Sequence, residues 1–98
     1  MAATPEHANV VSLRLIEEAI AHVDRHLSDT AWLKVNRMLQ PSESKFAFWE
    51  LNGIGRLTQK EMEAVSAIYM DKGWRYVMVR PRFHDTETNW HIHIQAEL

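Results

Sequence analysis

Two stretches in the C-terminal third decide the fold: WRYVMVRPRF, residues 74–83, and NWHIHIQA, residues 89–96. In each stretch, apolar residues alternate with polar or charged residues, which predicts a strand with one buried face. The intervening HDTET, residues 84–88, is polar and predicts a turn. We therefore expect the two strands to form an antiparallel hairpin.

The alternation also predicts how the two strands pair. The side expected to face the core carries the residues Val77, Val79, Pro81, Phe83, Trp90, Ile92 and Ile94. A register that pairs Phe83 with Trp90 keeps this set on one face. The same register pairs Val79 with Ile94.

The opposite face of the hairpin carries two histidines two residues apart, His91 and His93. In the predicted register Arg82 lies opposite His91, and Arg80 lies opposite His93. These guanidinium groups would repel a bound cation, and a zinc site needs a third protein ligand. We therefore predict no metal site here, and no other cofactor.

Two longer helices are predicted from their start signals. Thr4-Pro5 begins the first, whose apolar positions recur every three or four residues: Val10, Leu13, Ile16, Ile20, Val23 and Leu27. Thr58 and Glu61 form a capping box for the other, with Leu57 expected to pack on Met62. Its predicted buried positions are Met62, Val65, Ile68 and Tyr69. Gly73 follows this helix where a left-handed C-terminal cap belongs.

The sequence pattern in the middle of the chain predicts secondary structure less clearly. AWLKVNRML, residues 31–39, fits either a short helix or a strand, and its strong helix formers favour the helix. PSES, residues 41–44, predicts a loop, and KFAFWEL, residues 45–51, predicts a strand that NGIG, residues 52–55, interrupts. Since Pro81 cannot donate to a strand ladder, its strand is expected at an edge, which leaves the C-terminal strand central.

Together these elements predict one domain over residues 1–98. The expected fold class is α+β, in the order α-(α)-β-α-β-β, with the helices packed on one face of a small, mostly antiparallel three-stranded sheet. A single helical layer leaves the other sheet face without cover.

Composition narrows the class of protein. The formal charge is −2 and there is no cysteine, so neither a strong polyanion-binding field nor a thiolate site is expected. MAATPEH, residues 1–7, lacks the features of a signal peptide, and no apolar run is long enough for a membrane span. We expect a cytoplasmic protein without a membrane partner.

No catalytic motif occurs, so we predict that the protein is not an enzyme and has no catalytic residues. The uncovered sheet face is instead predicted to bind a partner. It carries Tyr76, Met78, Arg80, Arg82, His91, His93 and Gln95. Aromatic, methionine and arginine side chains without lysine are typical of the centre of a protein interface. The partner is expected to be another protein, with a homodimer as one form of it.

The segment LTQKEMEAVSAIYMDKGWRYVMV, residues 57–79, followed by WHIHI, residues 90–94, resembles small accessory proteins of tailed bacteriophages in its architecture. This resemblance implies a non-catalytic regulator or inhibitor of a host protein, acting in the host cytoplasm, and assigns no functional residue. Two alternatives remain: a single-stranded nucleic-acid-binding protein that uses the same sheet face, and a subunit for virion assembly.

Overall fold

The computed structural model describes residues 2–40, 43–81 and 90–97. These residues form three helices and four strands: α1 (Pro5–Leu27), α2 (Thr30–Asn36), β1 (Met38–Gln40), β2 (Glu43–Ile54), α3 (Gln59–Asp71), β3 (Arg75–Pro81) and β4 (Trp90–Glu97). The strands form one antiparallel sheet in the order β1-β2-β4-β3. The α+β class is confirmed, but the sheet has four strands where three were predicted.

The additional strand comes from the stretch that fits both states. Its first part is helical because the Asp29 carboxylate accepts hydrogen bonds from the backbone N–H groups of Ala31 and Trp32, which caps α2. Met38 then pairs with Phe48 in β2. The prediction of a helix through residue 39 was therefore wrong for its end, because pairing with a neighbouring strand overrides a weak local preference.

β2 is longer than the predicted strand at both ends. Glu43 and Ser44 belong to it, so the predicted loop is wrong at these positions, whereas Pro41 and Ser42 lie outside the described residues. The predicted interruption after Leu51 is instead a bulge between Asn52 and Ile54. Gly53 occupies it with a φ of 89°, a backbone conformation that glycine adopts without steric cost.

α3 begins and ends at the predicted signals. The Thr58 hydroxyl accepts from the Glu61 N–H at 3.2 Å, and the Thr58 N–H donates to the Glu61 carboxylate at 2.8 Å. At the other end Gly73 has a φ of 101° and donates to the Met70 carbonyl, while Trp74 donates to that of Tyr69. These two bonds form a Schellman motif, which stops the helix and directs the chain into β3.

α1 begins at Pro5 as predicted, but only its C-terminal half lies against the core. Val23 is fully buried, whereas Val10 and Leu13 remain 53% and 61% exposed. The predicted apolar stripe is therefore wrong for the first turns of α1, whose apolar side chains Val10 and Leu13 stay exposed.

The predicted pairing of β3 with β4 was wrong by two residues. Trp90 pairs with Pro81, and Ile92 pairs with Val79. A shift of two keeps every side chain on its predicted face, so the alternation could not detect it. Phe83, Arg82 and the predicted turn lie outside the described residues, as do the side chains of Pro81 and Trp90.

The strand order is as predicted: β4 is central, and the proline-containing β3 is at an edge.

The core lies between the helices and one face of the sheet. Its buried members are Ala19, Val23, Ala47, Trp49, Leu51, Ile54, Leu57, Met62, Val65, Tyr69, Val77, Val79, Ile92 and Ile94. Three of the four predicted buried positions of α3 are buried, and the fourth, Ile68, is half-buried. The Tyr69 hydroxyl, which donates to the Asp24 carboxylate at 2.7 Å, joins α3 to α1.

Candidate functional site

The sheet side opposite the helices, which we call the outer face, collects the predicted binding residues. It carries Phe46, Phe48 and Glu50 from β2, Tyr76, Met78 and Arg80 from β3, and His91, His93 and Gln95 from β4. Alternate residues of the same strands are buried in the core. All the predicted site residues lie on this face except Arg82, which lies outside the described residues.

His93 lies at the centre of an aromatic group on the outer face. Its ring stacks on Phe48 with centroids 5.1 Å apart, and Tyr76 meets it edge-on at 5.7 Å. Tyr76 itself is 56% exposed, although it is a large aromatic side chain. Aromatic contacts of this geometry keep rings in fixed orientations, so the group presents a preformed apolar surface.

Phe46, Phe48 and Glu50 belong to the outer face but were not predicted as part of it. KFAFWEL is apolar at both alternate sets of positions, so its pattern does not show which set faces the core. The structure buries Trp49, whose indole N–H donates to the Leu33 carbonyl at 2.9 Å. One signal in the sequence could have indicated that β2 contributes to the outer face. β4 was predicted to lie centrally, and a central strand has outer-face neighbours on both sides.

The charged side chains on and beside the outer face differ in the neighbours they contact. Arg75 contacts the Glu97 carboxylate at 2.8 Å and lies over the Phe46 ring. Glu50 lies 3.5 Å from the Nδ1 atom of His93. Arg80 donates to the Met78 sulfur, a weak acceptor, and forms no ion pair with a carboxylate of the described residues. Of the two described arginines on or beside this face, Arg80 therefore has the weaker charge compensation.

A cavity of about 230 Å³ opens on this face and is lined by Glu50, Tyr76, Met78, Arg80, His91 and His93. This volume is smaller than the roughly 300–1,000 Å³ of a typical small-molecule site and suits a single inserted side chain. Nδ1 of His91, a residue that lines this cavity, is buried and has no hydrogen-bond partner among the described residues. An unpaired buried nitrogen costs free energy.

The observed register changes the electrostatic argument about metal binding. Arg80 lies opposite His91, and Met78, not an arginine, lies opposite His93. Glu50 flanks His93 on the other side. Within residues 2–40, 43–81 and 90–97, histidine, aspartate and glutamate nowhere form a group of three that could hold a metal ion. The absence of a metal site on this face stays a prediction. Its basis is now the small number of neighbouring metal ligands, because only His91 has an arginine opposite it.

None of the helices in the described parts of the chain is long and apolar enough to cross a bilayer. Comparisons of the chain with protein-family models, with curated proteins and with solved structures found no match.

Proposed function

We propose that this protein is a non-catalytic binding module that regulates or inhibits a partner protein through its outer face. The observation that carries the proposal is the aromatic group of Phe48, His93 and Tyr76, which lies on the sheet side away from the helices. Aromatic residues, methionine and arginine are enriched at the centres of protein interfaces, and they dominate binding energy there.

The cavity beside this group supports a protein partner. It is large enough for one side chain, which is how interface anchors bind. Arg80 lines this cavity, so an acidic tip on the inserted side chain would complement its charge. If the gene comes from a phage, the partner is a host factor.

Single-stranded nucleic acid is the second candidate, because exposed aromatic rings on an antiparallel sheet can stack on bases. The charges favour a protein. Arg75 is paired with Glu97, Glu50 lies beside His93, and the chain carries a formal charge of −2. Phosphate binding depends on several uncompensated cations, and the described outer face offers one, Arg80.

Affinity capture with the immobilised protein tests the proposal. The bait variants Arg80→Glu and Tyr76→Ala alter exposed outer-face side chains, and Arg56→Glu makes the same charge reversal at an exposed position on the loop before α3. We expect mass spectrometry to find a protein retained by wild type and Arg56→Glu and lost from both outer-face variants. Arg80→Glu and Arg56→Glu should unfold within about 0.5 kcal/mol of wild type, since surface substitutions rarely cost more. Tyr76→Ala should cost about 0.5–1.5 kcal/mol, because it loses the ring contact with His93. A partner retained equally by all four baits would place binding elsewhere.

The salt dependence of binding separates the two candidates. A protein interface built on aromatic residues should lose little affinity between 50 and 200 mM salt, whereas a complex with several phosphate contacts loses roughly a thousandfold or more. Retention that nuclease treatment abolishes would establish the nucleic-acid alternative.

A further inference from the structure

The two edges of the sheet differ in their capacity to pair with another strand. β1 has three residues and an irregular register between Leu39 and Gln40, so it offers little free backbone. β3 has seven residues; its register is irregular between Arg75 and Met78, where Tyr76 has a φ of 47°, and regular from Met78 to Pro81. Within the described parts of the chain, β4 is the only hydrogen-bonded neighbour of β3. The unpaired backbone groups along β3 are a template for a further strand.

A groove runs beside this free edge. It has a volume of about 300 Å³ and lies between α3, which contributes Met62, Ala67 and Met70, and β3, which contributes Val77 and Val79. Met70 is 55% exposed although it is apolar, and Ala67 is exposed and small. An extended strand placed along β3 would therefore insert every second side chain beneath the flank of α3.

We propose that β3 and this groove bind an extended peptide segment of a partner protein by strand addition. Backbone hydrogen bonds to β3 would hold the segment, and its alternate apolar side chains would fill the groove. Flexible methionine side chains suit such a site because they adapt to different apolar groups. Pro81 lacks an N–H donor, so the ladder ends there.

The negative charge at one end of the groove indicates which charge the bound peptide should carry. Glu63 is the charged residue among the described residues that line the groove, and its carboxylate accepts from the Gln59 amide at 3.2 Å. Because Gly73 reverses the chain between α3 and β3, Glu63 lies toward the end of β3 that carries Pro81. Charge complementarity thus favours a segment that is apolar at alternate positions and has a basic residue at the end beside Glu63.

This groove lies mainly on the helix side of the sheet edge and meets the outer face at Met78, which lines both the groove and the outer-face cavity. The inference goes beyond the proposed function: it adds a second surface, which recognises an extended backbone. Its test uses no outer-face variant, so its failure would leave the first proposal intact.

Selection from a displayed library of random dodecapeptides tests the proposal. Wild type is compared with Ala67→Arg, which fills the groove from an exposed helical position, and with the matched control Ala21→Arg at an exposed position of α1. We expect enriched peptides with alternating apolar residues and a terminal lysine or arginine. Their affinity should fall at least tenfold in Ala67→Arg and stay unchanged in Ala21→Arg. In Glu63→Lys the preferred terminal residue should become acidic.

Hydrogen bonding between the peptide backbone and β3 can be tested separately. Binding of a selected peptide should slow amide hydrogen exchange in the range 77–80, and N-methylation of alternate peptide amides should abolish binding. Three results would each overturn the proposal: no enrichment on wild type, equal binding by Ala67→Arg, or no change in exchange at β3. A wild-type dimer in sedimentation velocity that Ala67→Arg dissociates would also overturn it, since the occupant would then be a second copy of the chain.

Discussion

Replacing Ser12 by alanine removes the hydrogen bond that ties the outlying half of α1 to the start of α3. The Ser12 hydroxyl donates to the Glu61 carboxylate at 2.5 Å. Glu61 is only 6% exposed, and its other oxygen accepts from the Thr58 N–H. Two neighbours of Ser12 along the helix, Val11 and Leu13, are exposed, so little apolar packing supports this part of α1.

The expected loss of stability follows from the type of bond. A hydrogen bond to a charged group contributes about 1.5–3 kcal/mol. Ser12 is half-buried, so water can partly replace its hydroxyl, and we expect the lower end, about 1.5 kcal/mol. In a domain of this size each kcal/mol lowers the melting temperature by about 4–8 °C.

The loss should depend on pH. The Ser12 hydroxyl, followed by the Thr58 N–H, holds the pKa of Glu61 below its ordinary value of 4.5, although burial opposes the shift. A lowered folded-state pKa means that the ionised carboxylate stabilises the fold above its unfolded pKa, and that this stabilisation disappears as the pH falls through the folded value. The wild type and Ser12→Ala should therefore differ most near pH 7 and converge in acid.

Urea unfolding at pH 7 and at pH 3 measures both effects. Ser28→Ala, at an exposed position just after α1, is the matched control and should change the free energy of unfolding by less than about 0.5 kcal/mol. A Ser12→Ala variant as stable as this control at pH 7 would refute the energetic argument. A difference that stays the same at pH 3 would refute the role of the ionised carboxylate.

Three further substitutions test the fold. Thr58→Ala should lower the free energy of unfolding by about 0.5–2 kcal/mol, because α3 loses its cap; an unchanged melting temperature would contradict this. Gly53→Ala should cost about 1–2 kcal/mol in chemical denaturation, since its φ is 89° and the new Cβ would lie 3.2 Å from Nε2 of His22; a neutral result would argue against the bulge. Ile92→Asp should abolish cooperative unfolding in calorimetry, because it buries a carboxylate at a fully buried position, and a folded variant would contradict the assigned face.

Local chemistry determined the ends of the helices and the two faces of the hairpin. The Thr58–Glu61 capping box and Gly73 acted at the predicted residues because their hydrogen bonds are made within one helical turn. Alternation placed Ile92 in the core and His93 on the outer face, because side chains of a strand point to opposite sides in turn. This was sufficient to predict most of the outer face.

Tertiary structure decided what local chemistry leaves open. Alternation repeats every two residues, so it could not distinguish the pairing of His91 with Arg80 from the predicted pairing two residues away. Phe48 joined His93 only because packing of the helices on Trp49 selected one of two apolar faces of β2. Met38 became part of a strand because the tertiary fold places it beside Phe48 of β2. Each outcome depends on residues distant in sequence, whose contacts outweigh a local preference of a fraction of a kcal/mol.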